Sequence, residues 1–319
     1  MSTPATTDDE HQRLIAQSDT LRQEIEDDVK ATQPLTSELL PISSLLEHYT
    51  NDGGAAGFVR SATYLATRYT SMRKIRGDGN CFYRAFLYSL CEHLLRSLIL
   101  EGQADEFERL DAFVKGSLKW STECGYDEFT IESTLNRKCF DLCYELSTFS
   151  KLVLTNEQSV FYDELVEIFE YIGASGKEMA TDGSARQSRL DASLSGLRER
   201  LNVENGPSES CTWYMRVLTA CEMKSNPDQY LPYVMGEDYM DVPSFCSREV
   251  EPMGRECTMV QVAALAACLG VGVAVEYMDG RMGEGGEVVR HEFGCGGDAA
   301  GGRTRVTLLY RPGHYDILY

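Results

Sequence analysis

Arg76-Gly77-Asp78-Gly79-Asn80-Cys81-Phe82-Tyr83-Arg84-Ala85-Phe86 reads as a tight loop running straight into a helix. Two glycines bracket an aspartate and an asparagine follows, a composition that suits unusual backbone angles. Phe82 and Phe86, and Tyr83, Leu87 and Leu90, then recur at helical spacing. Cys81 therefore falls in the first turn of a buried helix. A helix N-terminus carries roughly half a positive charge, which favours a thiolate. With a cation also near, a cysteine pKa drops from about 8.5 toward ~3.5–7.5. Backbone N–H groups in the same loop suit the oxyanion of a tetrahedral intermediate, worth roughly 3–4 kcal/mol in comparable enzymes. The same residues also suit a cysteine that merely packs behind an asparagine cap, and the loop alone leaves both readings open.

The segment that weighs between them lies far along the chain: Tyr310-Arg311-Pro312-Gly313-His314-Tyr315-Asp316. Val306–Tyr310 and Tyr315–Tyr319 read as two strands. Pro312-Gly313 between them suits the centre of a type II turn, where proline fixes φ and glycine accepts a positive one. Strand residues two apart share a face, so Asp316 lies on the His314 side. There it is placed to hold the imidazole in one tautomer and stabilise its charged form. Cys81, His314 and Asp316 make a nucleophile, base and orienter set. Read alone, His314 and Asp316 also fit an exposed strand edge. The other histidines are His11 and His48 in peripheral segments, His93 about three turns along the helix that Cys81 opens, and His291 in a Gly-rich loop.

Outward from these two segments, the chain divides by pattern. Residues 1–34 read as an exposed amphipathic helix, with Thr7 and Glu10 at capping-box spacing, Leu14, Leu21, Ile25 and Val29 at helical intervals, and Pro34 as the stop. It either packs weakly on the body or meets a partner. A short helical pattern at Leu39, Leu40, Ile42, Leu45 and Leu46 precedes the loop at Asn51–Gly54. Residues 105–172 carry more helical periodicity. Residues 173–210 shift to Gly, Ser, Arg and Asp and are expected to be a mobile insertion with a short charged helix around Leu190–Leu201. Helix resumes at 211–223. Thr258 is placed to cap a helix through Leu269 that Gly270 ends. Val271–Tyr277 reads as a strand, and a Gly-rich loop covers 280–302.

Composition bounds the function. With 43% apolar residues among 319, a full core is available and global disorder is excluded. The first residues lack a basic patch followed by an apolar run, and no apolar stretch approaches the ~18 residues that cross a bilayer. A soluble intracellular protein, with no membrane partner, is expected. Eleven cysteines, an odd number in a long chain, fit reduced thiols better than disulfides. Cys139 and Cys143 lack the second pair that a zinc site needs. A net charge of −20 argues against nucleic acid and suits either a basic protein partner or simple solubility.

Asp78–Ala85 and Leu308–Tyr319 resemble the two signature segments of the otubains, the ovarian-tumour-domain deubiquitinases of the papain-like superfamily. So do Asp127–Glu132, Tyr214–Thr219, Glu249–Met253 and Val275–Asp279. The resemblance covers about residues 12–319 apart from 173–210, a region that looks longer here than in familiar otubains. It implies an α+β papain-like fold of otubain type: a small mixed or antiparallel sheet flanked by helices, with a helical subdomain. The N-terminal helical arm would span 1–34 and the catalytic domain 35–319. It implies that Cys81 attacks the isopeptide carbonyl at the ubiquitin C-terminus, that His314 is base and then acid, and that Asp316 orients His314. Asp78 would shape an oxyanion loop of Asp78, Gly79, Asn80 and Cys81, with the Cys81 N–H as donor. No cofactor or metal is implied. The partners implied are ubiquitin and polyubiquitin, lysine-48-linked by family habit, and a ubiquitin-conjugating enzyme at the arm. Non-catalytic capture of such an enzyme is the rival reading, and a general thiol peptidase a third. The implied location is the cytoplasm or nucleus.

Overall fold

The β-branched runs near the C-terminal end build the centre of a sheet in the computed structural model, which describes residues 28–51, 55–126, 157–177, 182–236, 239–294 and 305–319. Its strands are β1 (Leu40–Pro41), β2 (Ser71–Arg73), β3 (Gly272–Tyr277), β4 (Val289–Phe293), β5 (Arg305–Arg311) and β6 (His314–Leu318). They lie in the order β1-β2-β6-β5-β3-β4. Every pairing is antiparallel except β3 with β5. Side chains alternate across the sheet as the two-residue strand period requires. Tyr315 and Ile317 join the main core with Val273, Val275 and Leu308, while Leu309 and Leu318 join a second cluster on the opposite face.

The described α-helices are α1 (Ser43–Asn51), α2 (Ala56–Ala66), α3 (Cys81–Arg96), α4 (Asp105–Glu123), α5 (Glu157–Lys177), α6 (Gly183–Leu201), α7 (Pro207–Ser225), α8 (Pro227–Gly236), α9 (Val242–Phe245) and α10 (Met259–Leu269), with π-helical turns at Ser97–Glu101 and Cys246–Val250. The helix opened by Cys81 is buried along nearly its whole length, the mark of a central element rather than a surface one. Phe82, Phe86, Leu90 and Leu94 enter the same core as β3, β5 and β6. A helical layer around α7, α8 and α9 has its own cluster of Val217, Tyr230, Phe245 and Val250. The Thr258 start of α10 closes as its sequence predicts, with the Thr258 N–H donating to Gln261 Oε1 at 2.5 Å.

The expectation of a mobile insertion at 173–210 is corrected. Helix α5 continues to Lys177, α6 runs for 19 residues, and α7 begins at Pro207. Leu190, Leu197 and Leu201 are buried in the main core. The few apolar residues of this polar stretch fall on one face of the helix, and that face suffices. The loop after it is tied down as well: Asn202 Oδ1 accepts from the Thr36 N–H at 2.8 Å. Near Leu39–Leu46 the helix starts only at Ser43, since Leu40-Pro41 pairs with β2. Helix α2 and strand β4 have no clear sequence signal, and β4 lies inside the expected Gly-rich loop. The arm residues before 28, the Asp127–Glu132 segment, and Cys139 and Cys143 lie outside the described residues.

Candidate active site

The site forms where the N-terminus of α3 meets the start of β6. His314 Nε2 lies 2.9 Å from Asp316 Oδ1, as expected for residues two apart on one strand. On its other side the ring faces the Cys81 thiol, close enough for the sulfur to act on its charge. Gly77 lies against the same imidazole, since a Cβ added there would sit 3.6 Å from Nδ1. The structure therefore brings together the three residues that the sequence singles out: Cys81 on α3, and His314 and Asp316 on β6. Among the other described histidines, His48 is in α1, His93 in the last turn of α3 and His291 on β4. His291 packs edge-on against Tyr277, with ring centroids 5.5 Å apart.

The electrostatics follow from burial and partners. Burial of the His314 ring lowers its pKa, but hydrogen bonds and charge from Asp316 and Cys81 outweigh it and push the value up to about 9. Asp316 is completely buried. Burial alone would raise its carboxyl, yet the His314 hydrogen bond, the Arg311 charge and the Ile75 N–H hold it below the usual carboxylate range. The contacts are explicit: Ile75 N–H donates to Oδ1 at 2.9 Å and Arg311 Nη2 to Oδ2 at 2.5 Å. An ionised Asp316 beside a cationic imidazole is thus the arrangement the site supports.

The loop before Cys81 is shaped by side chains. Asp78 Oδ1 accepts from the Asn80 N–H at 3.0 Å and from Arg84 Nη1 at 2.9 Å, and Oδ2 lies 2.8 Å from Arg84 Nη2. This bidentate pair welds the loop to the first turn of α3. Gly79 has φ +74°, and a Cβ there would lie 2.1 Å from the Gly254 carbonyl oxygen. No other residue type fits that position. Asn80 precedes the helix, but its side chain makes no cap bond to α3. Instead Asn80 Oδ1 accepts from Arg216 Nη2 at 2.9 Å and from the Gly254 N–H at 3.0 Å. As the first helical residue, Cys81 has an N–H without an intrahelical acceptor.

Arg84, Arg216, Gly254, Ile75 and Arg311 join the site beyond the residues that sequence reasoning singles out. For Arg216 a signal exists: an arginine between Cys211, Tyr214, Met215 and Leu218, on a helix whose neighbours are apolar. The partners of Ile75 and Gly254 are set by tertiary pairing and leave no local trace.

A thiol beside an imidazole that is hydrogen-bonded to a buried carboxylate is the constellation a thiol hydrolase requires. The family model described as Peptidase C65 Otubain matches residues 28–176 and 152–319, and the chain belongs to this otubain family. It is 31% identical to human "Ubiquitin thioesterase OTUB1" over 306 residues, 96% of this chain and 89% of that protein. It is 30% identical to the Arabidopsis thaliana "OVARIAN TUMOR DOMAIN-containing deubiquitinating enzyme 1" over 296 residues, 91% of this chain and 82% of that protein. Among solved structures it resembles an OTUB1 chain in a complex with ubiquitin aldehyde and UBC13~Ub, with a TM-score of 0.67 and 28% identity. That match covers 97% of this chain and 98% of the other.

Proposed function

We infer that the chain is a thiol-dependent deubiquitinase hydrolysing isopeptide bonds at the ubiquitin C-terminus, with Cys81 as nucleophile, His314 as base and acid, and Asp316 as orienter. The observation that carries this reading is the His314–Asp316 hydrogen bond set beside the Cys81 thiol, a cluster assembled from distant parts of the chain. In the reaction, the Cys81 sulfur forms a C–S bond to the scissile carbonyl as its π electrons move to oxygen. The developing oxyanion lies at the helix end, where the Cys81 N–H donates. His314 gives its proton to the departing lysine amine, and the C–N bond breaks. Water then loses a proton to His314, attacks the thioester and releases the ubiquitin carboxylate and the free thiol. Asp78 serves by shaping the loop, since its carboxylate is already engaged with Arg84 and the Asn80 N–H.

Lysine-48-linked ubiquitin chains are the proposed substrate, and the cytoplasm or nucleus the proposed location. A second role, binding a ubiquitin-conjugating enzyme through the arm before residue 34, is favoured by a specific observation. Solved relatives were captured with UBC13~Ub and UBCH5B~Ub. A panel of di-ubiquitins tested with wild type and Cys81→Ala separates the roles. Cleavage by wild type alone is expected, with the lysine-48 linkage cut fastest. If ubiquitin bearing a C-terminal electrophile binds but leaves Cys81 unmodified, the catalytic assignment fails and the binding role stands alone.

A further inference from the structure

We propose that Arg216 is a positioning residue of this reaction: it fixes the Gly79–Asn80 peptide behind the nucleophile and supplies an uncompensated positive charge that favours the Cys81 thiolate. The proposal rests on the assignment of Cys81 as nucleophile.

Arg216 projects from the middle of α7 and is completely buried. A buried charge is costly unless it is paired. Other buried arginines here follow that rule, with Arg84 on Asp78 at 2.8 Å, Arg73 on Glu92 at 3.1 Å and Arg76 on Glu204 at 2.5 Å. Arg216 does not. Among the described residues no carboxylate pairs with it. Its N–H groups go to neutral oxygens: Val250 O and Gly79 O at 2.9 Å, Asn80 Oδ1 at 2.9 Å and Arg255 O at 2.7 Å. Its guanidinium lies over the Tyr83 ring, 4.6 Å from the centroid. Dipoles and a π face solvate the cation without cancelling it, so a full positive charge stays beside the nucleophile's loop. Burial lowers the Arg216 pKa, and Tyr83, Cys257, Cys81 and Asp78 in their charged forms raise it.

Geometry gives the same residue a second task. C=O and N–H of a trans peptide point opposite ways. Holding Gly79 O on Arg216 turns the Asn80 N–H toward Asp78 Oδ1, where it bonds at 3.0 Å. Asn80 O is then free to accept the first helical bond from the Arg84 N–H at 3.1 Å. That directs the Cys81 N–H outward from the helix end, toward the place of the oxyanion. Arg216 also holds Val250 O and Arg255 O, so a single guanidinium clamps the 250–255 loop over the 79–80 loop. It does not touch the reacting atoms.

The test compares wild type with Arg216→Met and Arg216→Lys in the full chain. Thermal melting reports folding. Iodoacetamide alkylation of the Cys81 peptide, followed by mass spectrometry against pH, reports the thiolate, and a fluorogenic ubiquitin C-terminal amide gives kcat and KM. In Arg216→Met the alkylation midpoint should rise by about one pH unit, and kcat should fall about a hundredfold with KM nearly unchanged. Arg216→Lys should restore the midpoint, because charge is kept, but not kcat, because one ammonium cannot span four acceptors. A folded Arg216→Met with wild-type midpoint and kcat overturns the proposal. If that variant does not fold, Arg216→Lys decides: a raised midpoint removes the charge role, and an unchanged kcat removes the positioning role. Failure of wild-type Cys81 to react with a ubiquitin electrophile would instead defeat the underlying reading.

Discussion

The two halves of the site are built on different plans. The hairpin half is mostly local: Arg311, Pro312, Gly313, His314 and Asp316 lie within six residues and bond among themselves, with the Ile75 N–H as an outside donor to Asp316. Gly313 has φ +76°, as a type II turn demands. The loop half is imposed from outside. Arg76 donates to Gln33 O and pairs with Glu204 Oε1 at 2.5 Å. Arg216 holds Gly79 and Asn80, and Gly254 packs against Gly79. Four distant segments thus determine how one cysteine is presented. The base half should therefore tolerate remote damage that disables the nucleophile half.

The strongest challenge to that contrast is removal of a group at the chemistry itself. Cys81→Ala should abolish turnover of a ubiquitin amide, a loss beyond about 10⁴-fold, while the melting temperature stays near wild type. Next comes the base half. Asp316→Asn should cost about 10²–10⁴ in kcat and move the alkaline limb of the pH profile. In the wild type, His314 is raised to about 9. The stabilisation from its cationic form is therefore full below its unfolded value near 6.5 and is lost as pH rises through about 9. Without the carboxylate, that limb should retreat toward ~6.5. Retention of the wild-type limb would mean that Asp316 does not set the imidazole's charge.

Gly79→Ala tests the imposed half. A methyl at φ +74° meets the Gly254 carbonyl, so stability should fall by roughly 1–3 kcal/mol and kcat by more than the melting shift explains. Chemical unfolding and kinetics on the same preparation check this. Glu204→Ala is the mildest probe. Its partner Arg76 is buried, but Glu204 is 54% exposed. Solvent screening limits the stability loss to about 1 kcal/mol, with a kcat change of a fewfold. No kcat change at all would show that the outer brace of the loop is dispensable.

The same contrast explains what is legible in the sequence. The hairpin can be read because proline, glycine and a two-residue spacing act locally. Helix α3 can be read because its aromatic periodicity is strong. Strand β4 is hidden in glycine-rich surroundings, and its burial pattern is mostly exposed, so no alternation marks it. Helix α6 reads as an insertion, yet burying Leu190, Leu197 and Leu201 outweighs a composition that resembles a loop. Gly254 escapes notice as a site residue, and the apolar setting of Arg216 marks its burial but not its partners, because both roles exist only after α7 and the 250–255 loop reach Asn80.

The sheet order has a temporal consequence. Strand β6 is the last described strand to leave the ribosome, yet it inserts between β2 and β5 in the interior of the sheet. A growing chain that has not reached residue 314 holds its thiol beside a gap, with neither imidazole nor carboxylate to arm it. Hydrolytic competence should switch on in one step as β6 emerges and docks, so a product truncated before it would be inert rather than indiscriminately reactive.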